Sequence, residues 1–248
     1  MTSDVATPVD AIAEWTDWNE SRRASVTGPL GSLSLVLTQW SGSGVPPVDD
    51  SEARSGHPED AVLTRLTRTD IDTGEPQHGY RIWRADAPAR AAFEEIESYD
   101  YDPDLVVEGH FELVDEERVV PFEHLKDAGG TREHIVSGDL VFTWEGREYR
   151  LAALDTTDGE RALLQLVFGD PTNGSETYGA GRFLFLERPA TEAIGEGQPV
   201  VIDFNRAIVP PCGFSNQMNC PLPPLQNRLG FPVRAGEKRV RYAEGFTL

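Results

Sequence analysis

The residues best suited to chemistry are polar side chains in the C-terminal part of the chain, where they could bind an anion. Arginine carries a planar fork of N–H donors that matches a carboxylate or a phosphate, and neighbouring acids and amides can orient that fork. The backbone around them is restricted, because the segment 203–229 is rich in proline. The predicted ligand-binding residues are Arg182, Asp203, Asn205, Arg206, Asn227, Arg228 and Glu237.

Two interpretations of this set are open. If the strand ends that carry these residues lie on one rim of a sheet, the side chains converge on a polar pocket that binds a small polar or anionic metabolite. Alternatively, Arg206 and Arg228 bridge Asp203 and Glu237 and fix the loop without any ligand. Both interpretations give the polar side chains hydrogen-bond or ion-pair partners. Such partners are needed if the side chains are buried, because an unpaired buried polar group costs about 1–3 kcal/mol.

Three residues of the same region are candidates for acid–base catalysis. Glu176 or Asp203 could be the acid or base of a metal-independent hydrolase or isomerase, with Tyr178 as a second proton carrier. The pattern is not specific, because a chain with 42 acidic residues brings carboxylates together by chance. No G-x-S-x-G nucleophile motif surrounds Ser215. A third hypothesis, from a different class, is a structural or interaction protein.

The two cysteines, Cys212 and Cys220, are the other candidate site. Structural zinc takes four ligands, whereas this single cysteine pair has no second pair and no neighbouring histidine in the sequence. Two small buried thiols are the favoured interpretation, with a disulfide or a metal site as alternatives. No cofactor is predicted.

The charge of the chain points to its surroundings. Its formal net charge is -20, and only Lys126 and Lys238 are lysines. This composition predicts a halophilic protein, because molar salt shortens the Debye length to about 3 Å and screens self-repulsion; an acidic mesophilic protein is the alternative. The same charge disfavours nucleic acids and anionic membranes as partners, since both are bound through clustered Lys and Arg.

The N-terminal sequence predicts a cytoplasmic, soluble protein. Residues 1–10 lack the positive region and apolar core of a signal peptide, and no apolar run is long enough to span a membrane. In the cytoplasm, reduced thiols are more common than disulfides.

Short segments of alternating polar and apolar residues, separated by turn residues, predict an all-β protein: a mostly antiparallel sandwich or barrel with an N-terminal helix. We assign a helical segment to 1–30, with Thr7 as N-cap, and a single mostly β domain to 31–248, with an acidic linker near 41–60. The predicted strands are 31–40, 61–68, 79–85, 105–114, 118–122, 139–144, 147–154, 162–168, 181–187 and 199–204.

Two local features refine this assignment. Glu145-Gly146 predicts a tight hairpin turn. The segment 86–93 predicts a helical turn that buries Phe93.

Three sequence blocks, taken in order and spacing, are specific enough to indicate a family. They are Phe168-Gly-Asp170-Pro-Thr172 continuing to Gly181-Arg182, Asp203-Phe204-Asn205-Arg206-Ala207, and Cys220-Pro221-Leu222-Pro223-Pro224 followed by Asn227-Arg228-Leu229. Together they resemble the bacterial and archaeal domain of unknown function 1684 family. The resemblance implies a mostly β fold and brings no established activity, cofactor or catalytic residue. The chain departs from the family pattern over 41–77. In this region the sequences of many members resemble those of proteins with a compact β segment, whereas this chain has an acidic linker.

Overall fold

The computed structural model describes residues 8–114, 118–127, 130–190 and 197–248, which form a mostly antiparallel β protein, as predicted. The helices are α1 (Pro8–Thr27), α2 (Asp50–Arg54) and α3 (Pro88–Ala92). The strands are β1 (Leu35–Trp40), β2 (Val62–Thr69), β3 (Pro76–Trp83), β4 (Phe93–Ser98), β5 (Val106–Leu113), β6 (Val119–Glu123), β7 (Thr131–Ile135), β8 (Gly138–Trp144), β9 (Arg147–Asp158), β10 (Arg161–Phe168), β11 (Arg182–Glu187), β12 (Gly197–Asp203) and β13 (Glu237–Tyr242).

The chain forms two compact units. The first comprises the described residues within Met1–Thr16, Glu97–Pro210 and Cys220–Arg239, and the second comprises Asp17–Ile96, Pro211–Asn219 and Val240–Leu248. The boundary predicted near residue 30 stays a prediction.

The first unit is built on a six-stranded antiparallel sheet with the order β11-β10-β9-β8-β5-β12. Many apolar residues of these strands are buried, including Phe111, Leu140, Leu151 and Leu166, each 0% exposed, and β8 and β9 each contain a run of at least four consecutive buried residues. Phe204, which directly follows β12, joins the same core. Burying large apolar side chains of this kind stabilises a fold by about 1.5–3 kcal/mol each.

The turn between β8 and β9 is the predicted Glu145-Gly146 hairpin. Both residues have positive φ, 47° and 78°, which suits a two-residue hairpin turn of the primed class. It sets the register in which Trp144 pairs with Arg147 and Phe142 with Tyr149.

The second unit contains a three-stranded sheet with the order β1-β3-β2. The segment Pro211–Asn219 is anchored on β1, because Ser215 Oγ donates to Leu35 O (3.1 Å) and Thr38 N donates to Gln217 Oε1 (3.0 Å). A further two-stranded sheet pairs β13 with β4.

Several local predictions differ from the structure. The strand predicted over 31–40 begins only at Leu35, because Ser32–Ser34 forms a 3₁₀ turn in which Ser34 N donates to Gly31 O (2.8 Å). The predicted acidic linker contains α2, whose first turn is capped by Asp49 through bonds from Ser51 N and Glu52 N, both 2.9 Å.

Other differences concern the ends of elements. The helical turn predicted over 86–93 ends at Ala92, and Phe93, predicted to be buried, instead starts β4 and is half-buried. Thr7, the predicted N-cap of α1, lies outside the described residues. Among the residues that are described, no helix has the length and apolar character needed to cross a membrane.

Candidate functional site

The loop between β10 and β11 is held in shape by its own side chains. The Oδ1 atom of Asp170 accepts from Thr172 N (2.9 Å), Thr172 Oγ1 (2.7 Å) and Val233 N (3.1 Å). The Oδ1 atom of Asn173 accepts from Asp170 N (2.7 Å). Asx-type bonds of this kind replace the ladder bonds that a loop lacks, so the loop has a defined conformation.

Arg182, at the start of β11, is sealed inside this structure and is 0% exposed. Its Nη2 donates to Asp170 Oδ2 (2.9 Å) and to Val233 O (2.7 Å), and its Nη1 donates to the carbonyl of Ala235. Burial lowers the pKa of Arg182, and the neighbouring carboxylate of Asp170 opposes that shift. The guanidinium therefore ties the segment 233–235 to the loop instead of facing an open space.

Asn227 is likewise buried and fully engaged with backbone. Its Oδ1 accepts from Ala152 N (2.8 Å), and its Nδ2 donates to Ala152 O (2.9 Å) and Val167 O (2.8 Å). The side chain links two strands of the sheet to the C-terminal segment, which is a structural role.

Asn205 and Glu237 are also buried against protein partners. Asn205 Oδ1 accepts from Asp102 N (2.8 Å), and its Nδ2 donates to Asp102 O (2.8 Å). Glu237 Oε2 accepts from Val209 N (2.7 Å). These contacts are internal to the first unit.

Arg206 and Asp203 form a pair at the surface. Their side chains approach to 3.3 Å, with Arg206 41% exposed, and Asp203 Oδ1 also accepts from Asn205 N (3.0 Å). This pairing is one that the ligand-free interpretation predicted. Its other half, a bridge between Arg228 and Glu237, is not seen among the ion pairs of the described residues.

The acid–base candidate Glu176 is engaged by neighbouring side chains. Glu176 pairs with Arg234 at 2.7 Å and accepts from Tyr99 Oη at 3.0 Å, and these two contacts lower its pKa. Burial and the carboxylate of Glu176 raise the pKa of Tyr99 to about 12. Tyr178 is half-buried, and its backbone N–H donates to Lys238 O (2.7 Å).

Cys212 and Cys220 are both buried, each 6% exposed, as the thiol interpretation predicted. They belong to different compact units. Within the described part of the chain, no three or more His, Cys, Asp or Glu side chains group as metal ligands would.

A cleft of about 330 Å³ opens beside the loop. One wall is formed by the glycine-rich segment 169–181, and the other by Leu222, Pro223, Arg228 and Leu229. The walls approach closely at Gly181, which has a φ of 86°, and a Cβ atom there would lie 2.5 Å from Pro223 Cγ. Glycine is therefore required at this position by both backbone conformation and space.

Arg228 is the arginine that lines this cleft, and its side chain is exposed. Its Nε donates to Pro223 O at 3.4 Å, a long bond, and no carboxylate of the described residues pairs with it. Other surface arginines differ, as the 2.8 Å pair of Arg161 with Glu187 shows. The two terminal nitrogens of Arg228 thus have no hydrogen-bond partner among the described residues.

The structure brings only parts of the predicted set together: Asp203, Asn205 and Arg206 contact one another, and Arg182 Nη1 donates to Glu237 O (3.4 Å). Of the predicted ligand-binding set only Arg228 lines the cleft, while Arg182, Asn205, Asn227 and Glu237 are buried elsewhere in the same unit. Sequence reasoning missed the cleft walls, above all Gly181 and Pro223. The available signal was the cluster of glycines at 169, 174, 179 and 181, because clustered glycines mark a close approach of backbone segments.

Comparisons with known proteins agree with the resemblance seen in the sequence. A search of curated proteins returned no match. One solved structure that is similar is the solution NMR structure of an uncharacterised protein of Haloarcula marismortui; it is 30% identical, covers 59% of this chain and 77% of its own, and superposes with a TM-score of 0.47. The family model described as "Protein of unknown function (DUF1684)" matches residues 91–238, more than half of the chain. The chain therefore belongs to the DUF1684 family of proteins of unknown function.

Proposed function

We propose that the protein binds a small anionic metabolite in the cleft, with Arg228 as the residue that contacts the anion. The observation that carries the proposal is an exposed arginine that lines the cleft and pairs with no carboxylate of the described residues. In a chain with a net charge of -20, an arginine without a carboxylate partner is unusual, because acidic side chains outnumber basic ones. An arginine fork is well matched to a carboxylate or a phosphate.

The cleft suits a small ligand. Its volume of about 330 Å³ lies near the lower end of the range of roughly 300–1,000 Å³ usual for ligand pockets. Asp170 also lines it, but this carboxylate is already compensated by Arg182 at 2.9 Å. An approaching anion therefore meets less repulsion from Asp170 than it would from an unpaired carboxylate.

The buried polar network gives Arg228 a fixed position. Gly169 N donates to Asn227 O (3.0 Å) and Leu229 N donates to Gly169 O (2.8 Å), so Arg228 is held on both sides by backbone bonds. Asn227 is in turn anchored to Ala152 through its side chain. We assign Asn227 as a positioning residue, because it acts on the anion only through Arg228.

A binding experiment with a matched control tests this function. Isothermal titration calorimetry with acetate, benzoate, succinate and inorganic phosphate should detect binding of at least one probe, weakened at least tenfold by Arg228→Gln. The control Arg161→Gln removes the same charge from an exposed site that is distant from the cleft lining, and it should leave the affinity within about twofold. Equal affinities for the wild type and Arg228→Gln would contradict the proposal.

Catalysis by Glu176 has less support. Its contacts with Arg234 and Tyr99 stabilise the charged form and lower its pKa, whereas a general base works best with a pKa near the working pH. A hydrolase or isomerase activity abolished by Glu176→Gln would restore that hypothesis. If no anion binds at all, the interaction-protein hypothesis is the one to pursue.

The setting of the protein is a separate part of the proposal. We infer a halophilic, cytoplasmic protein with an acidic surface, since Asp139, Asp170 and Glu237 are the buried acids among the described residues. The remaining charge faces solvent at least in part, so it repels nucleic acid as well as itself. Thermal melting in low and in molar KCl checks this inference: the melting temperature should rise steeply with salt, and a fold indifferent to salt would contradict it.

A further inference from the structure

The cleft has one cation and otherwise largely apolar walls. Besides Arg228, its second wall consists of Leu222, Pro223 and Leu229, and the first wall contributes Gly179, Ala180 and Gly181. A single guanidinium fork binds one carboxylate through two parallel bonds. A ligand with two separate negative charges would leave one of them uncompensated in this acidic protein.

The polar side chains of the first wall are already used within the loop. Asn173 Nδ2 donates to Thr177 Oγ1 (2.9 Å) and Tyr178 O (3.3 Å), and its Oδ1 accepts from Asp170 N. The carboxylate of Asp170 is held by Arg182 and Thr172. The side chain left to bind a ligand by polar contacts is therefore Arg228.

An exposed leucine stands next to that cation. Leu225 is 84% exposed, and its carbonyl accepts from Arg228 N at 3.3 Å, which places its backbone beside the cleft-lining arginine. A leucine so exposed leaves apolar surface in water, and burial of that surface by a ligand would be favourable. The exposed leucine and the arginine are thus three residues apart on one short turn, Leu225–Asn227 with Arg228, and Leu225 itself is not among the residues that line the cleft.

We propose that the ligand is a monocarboxylic acid with an apolar body, whose carboxylate binds Arg228 and whose body lies along Pro223 and Leu225. This inference rests on the proposed function and narrows it to one chemical class. It excludes inorganic phosphate and dicarboxylates as the preferred ligands of the cleft.

Calorimetry with a homologous series tests the class. In one buffer of fixed KCl concentration, affinity should rise from acetate through butyrate to hexanoate, by roughly fourfold for each methylene that is buried. Hexanoate should bind more tightly than succinate, phosphate and the uncharged hexanol. Arg228→Gln should weaken hexanoate at least tenfold, and Leu225→Ser should lower the ratio of hexanoate to acetate affinity several-fold.

A control variant and the choice of ligands distinguish a failure of the monocarboxylate inference from a failure of the proposed anion binding. Val201→Ser, at a position that is 60% exposed on β12, controls for loss of an exposed apolar side chain and should leave the hexanoate-to-acetate ratio unchanged. Tightest binding of phosphate or succinate through Arg228 would overturn the monocarboxylate inference and leave the proposed function standing. Binding of no anion would overturn both, and hexanol binding as tightly as hexanoate would show that charge is irrelevant to the cleft.

Discussion

Arg182 and Arg228 lie in the same compact unit and both lie near Asp170, yet the protein uses them in opposite ways. Arg182 is completely buried, and its two terminal nitrogens donate to Asp170 and to backbone carbonyls. Arg228 is exposed, lines a cleft and has no carboxylate partner in the described chain. The difference shows that residue type alone does not determine the role of an arginine: the first shapes the loop, and the second is the one that we propose for ligand binding.

The largest expected effect is the loss of Arg182. Arg182→Met leaves the buried carboxylate of Asp170 without its cation, which should destabilise the fold by about 3–5 kcal/mol. Arg228→Met, the matched control, should change the free energy of unfolding by no more than about 0.5 kcal/mol, because its side chain is exposed. Urea unfolding followed by tryptophan fluorescence measures both. If the two variants lose similar amounts of unfolding free energy, Arg182 and Arg228 do not differ in their structural roles.

Asn227 should rank next. Asn227→Ala removes three side-chain bonds to Ala152 and Val167 and leaves buried backbone groups unpaired, at a cost of about 2–4 kcal/mol. Because Asn227 positions Arg228, the variant should also weaken hexanoate binding, measured by calorimetry at a temperature where it is folded. A destabilised variant with unchanged affinity would show that Arg228 needs no support from Asn227.

The glycines of the cleft wall should show a smaller, position-specific effect. Gly181→Ala puts a side chain at a positive φ and against Pro223 Cγ, so it should cost about 1–3 kcal/mol. Gly179→Ala meets nothing closer than 3.7 Å, at Gly174 Cα, and should be nearly neutral in the same chemical denaturation. If both substitutions are neutral, the cleft walls do not approach as closely as the structure has them.

The pair of Glu176 and Arg234 is intermediate between the two arginines compared above, because Arg234 is exposed like Arg228 but ion-paired like Arg182. Its loss should have the smallest effect on the stability of the fold. Since contacts with Arg234 and Tyr99 lower the pKa of Glu176 in the folded state, its stabilising contribution is present above the unfolded pKa and is lost as the pH falls through the folded value. Comparison of wild type and Glu176→Gln by urea midpoint between pH 7 and pH 3 should show a difference that fades on acidification. A difference that grows as the pH falls would contradict the assigned sign.

Strands rich in apolar residues were predictable from the sequence, whereas charged strands were not. The segment 162–168 was predicted as a strand and coincides with β10, Arg161–Phe168. β4 and β13 were missed, because each carries charged residues, Glu94, Glu95 and Glu97 in one and Lys238, Arg239 and Arg241 in the other. Their opposite charges pair in the fold, as in the 3.2 Å contact of Arg241 with Glu95, and a single segment cannot reveal such pairing.

The candidate site was only partly predictable, again because contacts between segments that are distant in the sequence decide which side chains are buried. The sequence singled out both Arg182 and Arg228, but the partners that bury Arg182, such as Val233, lie 51 residues away along the chain. Burial depends on such distant contacts, and local residue patterns do not encode them. The prolines of the segment 203–229 did predict a restricted backbone there, and the segment is anchored by bonds that Asn205 Nδ2 donates to Asp102 O and Asn227 Nδ2 donates to Ala152 O.

Arginine side-chain NMR tests the central contrast most directly. In ¹H–¹⁵N spectra of the Nε–Hε groups, assigned with Arg182→Lys and Arg228→Lys, titration with hexanoate should shift the Arg228 signal in a saturable manner and leave the Arg182 signal in place. A spectrum in which Arg228 does not move, or in which Arg182 moves as far as Arg228, would contradict the account.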